Sequence, residues 1–263
     1  MKKQTKLVAV LSTAALLAIG ASMTSFAATG WAEEDGTWVY YDRNGDKVTD
    51  KWAKSGNNWY YLDSNGEMAV DTLIEDGDNY YYVDVNGVMA ANQWVAIDNE
   101  DAGDDDEPEH YWYYFQANGK ALKQGDSDTV SLKTVNGKKY AFDEYGAMVA
   151  EWSLDEGDEK IASKSEERAK ASVDVATTSE AWNGAGNYAK YTQAWRYFNS
   201  VEDGSRVSKG WFKVVAAEML NKDKYDDDED AWYYADGSGK LYAGEFKTIK
   251  GKNCLLYTSP SPR

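Results

Sequence analysis

Cysteine, histidine and basic residues are scarce in this chain of 263 residues. A single Cys allows no intramolecular disulfide, and a single His excludes the usual histidine-based zinc sites. The 28 basic residues are outnumbered by 45 acidic ones, which gives a formal net charge of -17. Such a chain cannot neutralise phosphates in number, so we expect neither nucleic acid nor an anionic membrane surface as a partner. We also predict no metal site and no cofactor.

Aromatic side chains are what the sequence has in abundance. The chain carries 11 Trp, 20 Tyr and 6 Phe, which together make 14% of its residues. The 3 Pro and 22 Gly are too few for collagen or for a proline-rich linker protein. A core, if the chain forms one, must therefore be built largely from aromatic rings.

The amino-terminal segment has the pattern of a secretory signal peptide. A basic start is followed by apolar residues 7–19 and by small residues that end at Ala27. About 13 apolar residues are fewer than the roughly 20 that a spanning helix needs. We therefore expect residues 1–27 to be removed on export, with no membrane insertion of the remaining chain.

The carboxyl-terminal segment matches nothing upstream. Residues 254–263 contain the only Cys and two of the three Pro. This segment resembles the in-frame translation of a sequencing adapter. We interpret it as the non-native tail of a reading frame that was cut near residue 253.

A period of 21 residues organises the chain from residue 30 onward. The spacing recurs in three series: Trp31, Trp52, Leu73 and Trp94; Trp38, Trp59 and Tyr80; Gly45, Gly66 and Gly87. Further copies begin at Trp112, Trp195 and Trp232. The four Asn–Gly pairs that begin at Asn44, Asn65, Asn86 and Asn118 favour type I′ turns, so each unit is predicted to be a short β-hairpin turning there. Because a single hairpin is only marginally stable, the units must stack.

Strand alternation sorts the side chains of each hairpin into two rows, because residues two apart share a face. Trp38 and Tyr40 begin the first row, and Val39 and Tyr41 begin the second. One unit has Lys139 and Ala141 in the first row yet keeps the second-row aromatics Tyr140 and Phe142. The second row is therefore predicted to be structural, and the first row is available to a ligand.

The predicted fold is an all-β solenoid of stacked short β-hairpins, roughly seven in number, with acidic loop insertions. The hairpin array covers residues 28–150, and further repeats cover 182–253. Residues 98–109 and 223–230 are acidic loops that lengthen two hairpins. Between the arrays lies a charged insertion, residues 151–181, for which a surface helix and a disordered segment both remain open.

Two paired motifs within this array resemble a known repeat. Residues 30–45 contain Trp31, Trp38 and Gly45, and the copy in residues 52–66 contains Trp52, Trp59 and Gly66. This pairing is similar to the cell-wall-binding, or choline-binding, repeat of Gram-positive surface proteins, whose relatives also serve as glucan-binding repeats. The resemblance extends over most of residues 30–150 and, less regularly, over 182–253.

The resemblance implies that ligand binds between consecutive hairpins in a cage of about three aromatic rings, since a quaternary ammonium has no proton to donate and is held by ring faces. The matching ligand-binding positions are Trp31 with Trp38 and Tyr40, Trp52 with Trp59 and Tyr61, and Trp94 with Tyr80 and Tyr82. Leu73 stands where a cage Trp would be, and Lys139 and Ala141 empty another site.

We therefore expect a secreted, non-catalytic module at the cell wall or cell surface that binds choline or a similar quaternary amine on wall teichoic polymers. Glucan or another wall polysaccharide is an alternative ligand, because stacked rings also suit sugar faces. A second alternative is the anchoring half of a truncated wall hydrolase or glycosyltransferase, and a third is an adhesin that uses the array as a scaffold. No acid–base pair and no nucleophile pattern marks an active site. The sequence leaves the oligomeric state open.

Overall fold

The computed structural model describes residues 29–99, 102, 108–125, 132–154, 195–217, 220, 222–242 and 245–256. The predicted signal peptide, residues 1–27, lies outside them. The strands are β1 Gly30–Glu34, β2 Thr37–Tyr41, β3 Lys51–Ser55, β4 Asn58–Leu62, β5 Thr72–Asp76, β6 Asn79–Val83, β7 Gln93–Asp98, β8 His110–Phe115, β9 Lys133–Val135, β10 Lys138–Tyr140, β11 Glu151–Leu154, β12 Trp195–Phe198, β13 Gly210–Val215, β14 Asp230–Ala235, β15 Glu245–Ile249 and β16 Lys252–Leu256. A short helix, α1 Lys222–Asp226, precedes β14.

Consecutive strands pair as antiparallel hairpins, which confirms the predicted β-hairpin solenoid. The described residues hold eight two-stranded sheets, one more than the roughly seven expected from the sequence periodicity. The eighth is the β15–β16 hairpin, in which Cys254 lies opposite Lys247. The rest of the predicted non-native tail, residues 257–263, lies outside the described residues. The described residues form two compact units, one made of those within 1–97 and 113–122 and the other of those within 98–112 and 123–263.

The prediction that Asn44–Gly45 and its copies form the hairpin turns is wrong. The turn between β1 and β2 is Asp35–Gly36, with φ of 50° and 84°, the two positive values that a type I′ turn needs. Gly56, with φ of 59°, begins the turn between β3 and β4. These four Asn–Gly pairs follow the second strand of their hairpins instead, whereas Asn136–Gly137, with φ of 49° and 79°, is the turn between β9 and β10.

Aspartate rather than Asn–Gly shapes the loop after the second strand. The Asp42 carboxylate accepts hydrogen bonds from the backbone N–H groups of Asn44, at 2.8 Å, and Asp46, at 3.0 Å. The Gly45 N–H donates to the Asp42 carbonyl at 3.1 Å. The same carboxylate bonds recur at Asp63, Asp84, Asp143 and Asp236. The repeated Asp and Gly therefore mark an Asx-type turn that sends the chain to the next hairpin.

Backbone hydrogen bonds join several hairpins to a preceding one. In the first unit the Met68 N–H donates to the Trp38 carbonyl at 2.8 Å, and the Met89 N–H donates to the Trp59 carbonyl at 2.9 Å. In the second unit the Arg206 N–H donates to the Lys139 carbonyl at 2.8 Å. The stacking geometry is thus repeated although the side chains differ.

The loop glycines allow close packing between successive loops. Gly119 has a φ of 83°, and a Cβ built on it would lie 2.5 Å from the Sδ atom of Met89. Gly87 has the same relation to Met68, whose Sδ atom would lie 2.9 Å from an added Cβ. Glycine is therefore required at this loop position both by the positive φ and by the neighbouring side chain.

The second row forms the core, as predicted. Its members are at most 2% exposed at one position in each of seven hairpins: Val39, Leu62, Val83, Phe115, Phe142, Phe198 and Ala235. The first row is less uniform, because Trp59 is 40% exposed whereas Trp195 is 1% exposed. Part of the first row is therefore also structural, and Ala141, in the unit predicted to have lost its site, is fully buried.

The predicted start of the charged insertion at residue 151 is wrong by four residues. Glu151–Leu154 is strand β11, which pairs with β12 and places Trp152 opposite Tyr197. The remainder, residues 155–181, lies outside the described residues. The acidic loop 223–230 contains most of α1 and the first residue of β14. No helix in the described part of the chain is long and apolar enough to cross a membrane.

Candidate ligand-binding site

The first-strand tryptophan of each of the first two hairpins packs against a tyrosine of its own hairpin and one of the next. The Trp31 ring centroid lies 5.2 Å from that of Tyr40 and 5.2 Å from that of Tyr60, both edge to face. Tyr40 is directly opposite Trp31 in the strand register, whereas Tyr60 belongs to the following hairpin. Tyr60 was predicted to be only structural, and it is both buried and part of this ring contact.

Trp38 lies on the same face as Trp31 and Tyr40 without touching the Trp31 ring. Trp31 is opposite Tyr40 and Glu33 is opposite Trp38, so these four side chains share one face of the hairpin. Trp31 and Trp38 are diagonal neighbours on the paired strands, so their backbone positions are about 7 to 8 Å apart. We call Trp31, Trp38 and Tyr40 ring set 1. The predicted trio is thus on one face, but only Trp31 and Tyr40 are in ring contact.

Ring set 2, defined as Trp52, Trp59 and Tyr61, repeats this arrangement in the next hairpin. The Trp52 ring lies 5.1 Å from Tyr61 and 5.0 Å from Tyr81 of the following hairpin. Trp59 is opposite Lys54, whose Nζ lies 5.7 Å from the centre of the Trp59 ring. Trp59 is therefore not in ring contact with Trp52, just as Trp38 is not in ring contact with Trp31. The residue opposite Trp59 is a cation, Lys54, whereas the residue opposite Trp38 is a carboxylate, Glu33.

The third predicted trio is placed differently. Trp94 packs against Tyr114 of its own hairpin, with 5.2 Å between ring centres. Tyr82 is 9% exposed, stacks on Phe115 at 6.1 Å and donates its hydroxyl to Asp71. Tyr80, in turn, is half-buried. Because Leu73 rather than a Trp is opposite Tyr82, this hairpin lacks the ring pair that opens the other two sets.

Carboxylates surround ring set 2. The Trp52 indole Nε1 donates to Asp76 Oδ2 at 3.0 Å. Burial, followed by the negative charges of Asp50, Asp76 and Asp63, raises the pKa of Tyr61 above its usual value. The same negative field that raises this pKa favours a bound cation.

The matching indole of ring set 1 has a different environment. Trp31 Nε1 is buried and has no hydrogen-bond partner among the described residues. The residue 21 places before Asp76 is Ser55, so no carboxylate reaches Trp31 from that position. Glu33, opposite Trp38, is the carboxylate that this face does present. The two sets thus differ in where their charges lie.

Two further ring clusters in the second unit were missed as site residues. Trp152 lies 5.0 Å from Tyr197 and 4.8 Å from Tyr233. Burial, then the charges of Glu151 and Asp230, raise the pKa of Tyr197 to about 12. The long insertion between paired strands β11 and β12 hides the 21-residue period, which is why Trp152 was not recognised.

Trp211 heads the second missed cluster. Its ring lies 5.2 Å from Tyr234 and 6.5 Å from Trp232, and the two tryptophans are 44% and 64% exposed. The pair Gly210–Trp211 repeats the pair Gly30–Trp31, so this cluster could have been predicted from the sequence. Within the described ranges, no three His, Cys, Asp or Glu side chains are grouped so as to hold a metal ion.

Two family models match parts of this chain, and one of them includes both ring sets. The choline-binding repeat model matches residues 28–72 and 48–94, and the putative cell wall binding repeat model matches residues 224–241. The choline binding domain of Spr1274 from Streptococcus pneumoniae is 30% identical, with 95% of that domain and 36% of this chain covered and a TM-score of 0.27. The chain belongs to the choline-binding cell-wall repeat family. Ring sets 1 and 2 both lie in the part matched by the choline-binding repeat model.

Longer solved structures are similar to this choline-binding repeat chain over most of its length. CbpJ from Streptococcus pneumoniae TIGR4 is 22% identical, with 87% of this chain and 56% of that chain covered and a TM-score of 0.50. The modular autolysin LytC from Streptococcus pneumoniae, solved with a synthetic peptidoglycan ligand, is 16% identical, with 86% and 36% covered and a TM-score of 0.48. The chain therefore spans only 36% to 56% of these structures. No curated protein sequence matches it.

Proposed function

We propose that this protein is a secreted, non-catalytic attachment module that binds choline, or a similar quaternary amine, on teichoic polymers of the cell wall. The observation that carries the proposal is ring set 1: Trp31, Trp38 and Tyr40 on one hairpin face, with a carboxylate beside them. A quaternary ammonium has no N–H to donate, so aromatic ring faces and negative charge hold it rather than hydrogen bonds, and this face offers both.

The energies are consistent with weak, repeated binding. One exposed cation–π contact contributes about 0.5 to 1 kcal/mol, and a desolvated one about 2 kcal/mol. Two or three rings in one set then support binding in the millimolar range, since 1 mM corresponds to about 4 kcal/mol. Attachment to a polymer would come from several sets engaging successive headgroups at once.

Polysaccharide binding is the second candidate, and the exposed tryptophans of the second unit favour it. Trp232 and Trp211 are 64% and 44% exposed, so they present ring surface that has not been enclosed. A flat, exposed indole matches the apolar face of a sugar better than it matches a compact trimethylammonium group. A glucan or other wall polysaccharide would then bind there, while the ammonium binds at ring set 1.

Retention on a tertiary-amine resin, with elution by choline, tests the principal proposal. We expect the full chain to bind the resin and to elute with choline, and Trp38→Ala to weaken retention more than Trp232→Ala does. Trp232→Ala is the matched control, because it removes a more exposed indole. Retention that choline does not reverse, or greater weakening by Trp232→Ala, would contradict the proposal. Binding to insoluble glucan, lost in Trp232→Ala alone, would support the second candidate.

A further inference from the structure

The charge opposite the second-strand tryptophan reverses between the first two hairpins. Glu33 is opposite Trp38, and Lys54, 21 residues later, is opposite Trp59. The Lys54 ammonium lies 5.7 Å from the centre of the Trp59 ring, within the range of a cation–π contact. An amino group of the chain itself is therefore placed where the proposed ligand cation would bind.

A second lysine in an equivalent position shows why this contact forms. Lys213 is opposite Trp232, but its Nζ makes an ion pair with Asp230 at 2.9 Å. Trp232 is correspondingly 64% exposed, against 40% for Trp59. Among the described residues no carboxylate lies within ion-pair distance of Lys54, so its ammonium remains against the indole.

We propose that Lys54 is an internal competitor that occupies the Trp59 ring face, so that a quaternary ammonium ligand binds more tightly at ring set 1 than at ring set 2. This inference rests on the proposed choline-binding function. One ring face accommodates one cation at close range, so the ligand must displace the lysine before it can use Trp59. Lys54 and Glu33 thereby set the order in which the two sets fill.

The occupation is expected to have a modest, measurable effect. An exposed cation–π contact corresponds to about a two- to fivefold change in a dissociation constant. Taken alone, the occupation by Lys54 would make choline bind about threefold more weakly at Trp59 than at Trp38. The carboxylates around Trp52 act in the opposite direction, so the comparison must be made by exchanging the charges and not only between the two sets.

The experiment follows each indole N–H separately in the full chain by nuclear magnetic resonance. Nitrogen-15 labelling of tryptophan gives one indole signal per residue, and Trp38→Phe and Trp59→Phe identify the two that matter. Choline is titrated into the unmodified chain, into Lys54→Glu and into the reciprocal Glu33→Lys. Both positions are exposed on their strands, so the substitutions leave the fold intact.

Lys54→Glu is expected to tighten choline binding at Trp59 about threefold, and Glu33→Lys to weaken it at Trp38 by a similar factor. The control ligand is 3,3-dimethylbutan-1-ol, which has the shape of choline without the charge. If Lys54 occupies the ring face, Lys54→Glu also strengthens binding of this neutral analogue. A change confined to choline would mean that charge repulsion acts alone and would overturn the proposal.

Two other outcomes are equally decisive. Unchanged dissociation constants in Lys54→Glu for both ligands would overturn the role of Lys54 while leaving the choline-binding function standing. Choline that shifts no indole signal in any variant would instead contradict the proposed function itself, and with it the inference.

Discussion

Replacing Gly119 by alanine tests the loop packing on which the stacked hairpins depend. Gly119 has a φ of 83°, and an added Cβ would lie 2.5 Å from Met89 Sδ and 3.1 Å from Met89 Cγ. Gly56 is the matched control, because its φ is 59° and an added Cβ would meet no atom within 4 Å. Both substitutions strain the backbone, but only Gly119→Ala also displaces a neighbouring side chain.

The two variants are expected to differ by the cost of that displacement. A non-glycine residue at positive φ costs about 1 to 2 kcal/mol. Forcing an extra methyl group against packed atoms adds about 1 to 3 kcal/mol, toward the lower end here because the side chain of Met89 is flexible. We therefore expect Gly119→Ala to lower the free energy of unfolding by about 3 kcal/mol and Gly56→Ala by about 1 kcal/mol.

Urea unfolding of the full chain, followed by tryptophan fluorescence, measures both values. Met89→Ala in the Gly119→Ala background removes the obstructing side chain, so the double variant should lose less stability than the sum of the single variants. Equal destabilisation by Gly119→Ala and Gly56→Ala, with additive effects of Met89→Ala, would refute the idea that the loop glycine is required by its neighbour.

Two further predictions concern the aromatic residues. Tyr60 is 8% exposed and contacts Trp31, so Tyr60→Ala should lower the free energy of unfolding by about 3 kcal/mol in thermal or urea unfolding. Trp59 is more exposed, so Trp59→Ala should lower it by less than about 1 kcal/mol. Equal losses would contradict the assignment of the two rows. Tyr197 has a pKa of about 12 in the folded chain and about 10 when unfolded, so the unfolded state loses this proton first and stability should fall as pH rises from 10 to 12. Tyr197→Phe should reduce that fall, and an identical pH profile would show that burial of Tyr197 is not responsible.

The repeat fold could be read from the sequence because its signals are local and periodic. The 21-residue spacing of Trp31 and Trp52 predicts equivalent strands, and the alternation along Trp38–Tyr41 predicts the buried row that the structure confirms. The turn was misplaced because Asn44–Gly45 satisfies the chemistry of a hairpin turn, while Asp42 supplies the hydrogen bonds that decide its use. The Asn–Gly dipeptide alone does not reveal that the carboxylate two residues before it will bind the backbone of the turn.

The ring contacts across hairpins could not be predicted from spacing. Tyr60 and Tyr81 join the tryptophans of the preceding hairpins because of the offset between stacked hairpins, which only the tertiary structure defines. Trp152 was not predicted to belong to a repeat, because a long insertion separates its strand from β12. The contact between Lys54 and the Trp59 ring could not be predicted from the sequence, because it depends on side-chain geometry.

A crystal structure of the full chain soaked with saturating choline would test the central claim most directly. The account predicts density for a trimethylammonium group between Trp31, Trp38 and Tyr40, in contact with their ring faces. Choline bound away from these rings, or no bound choline at ring set 1 in crystals where that face is accessible, would contradict it.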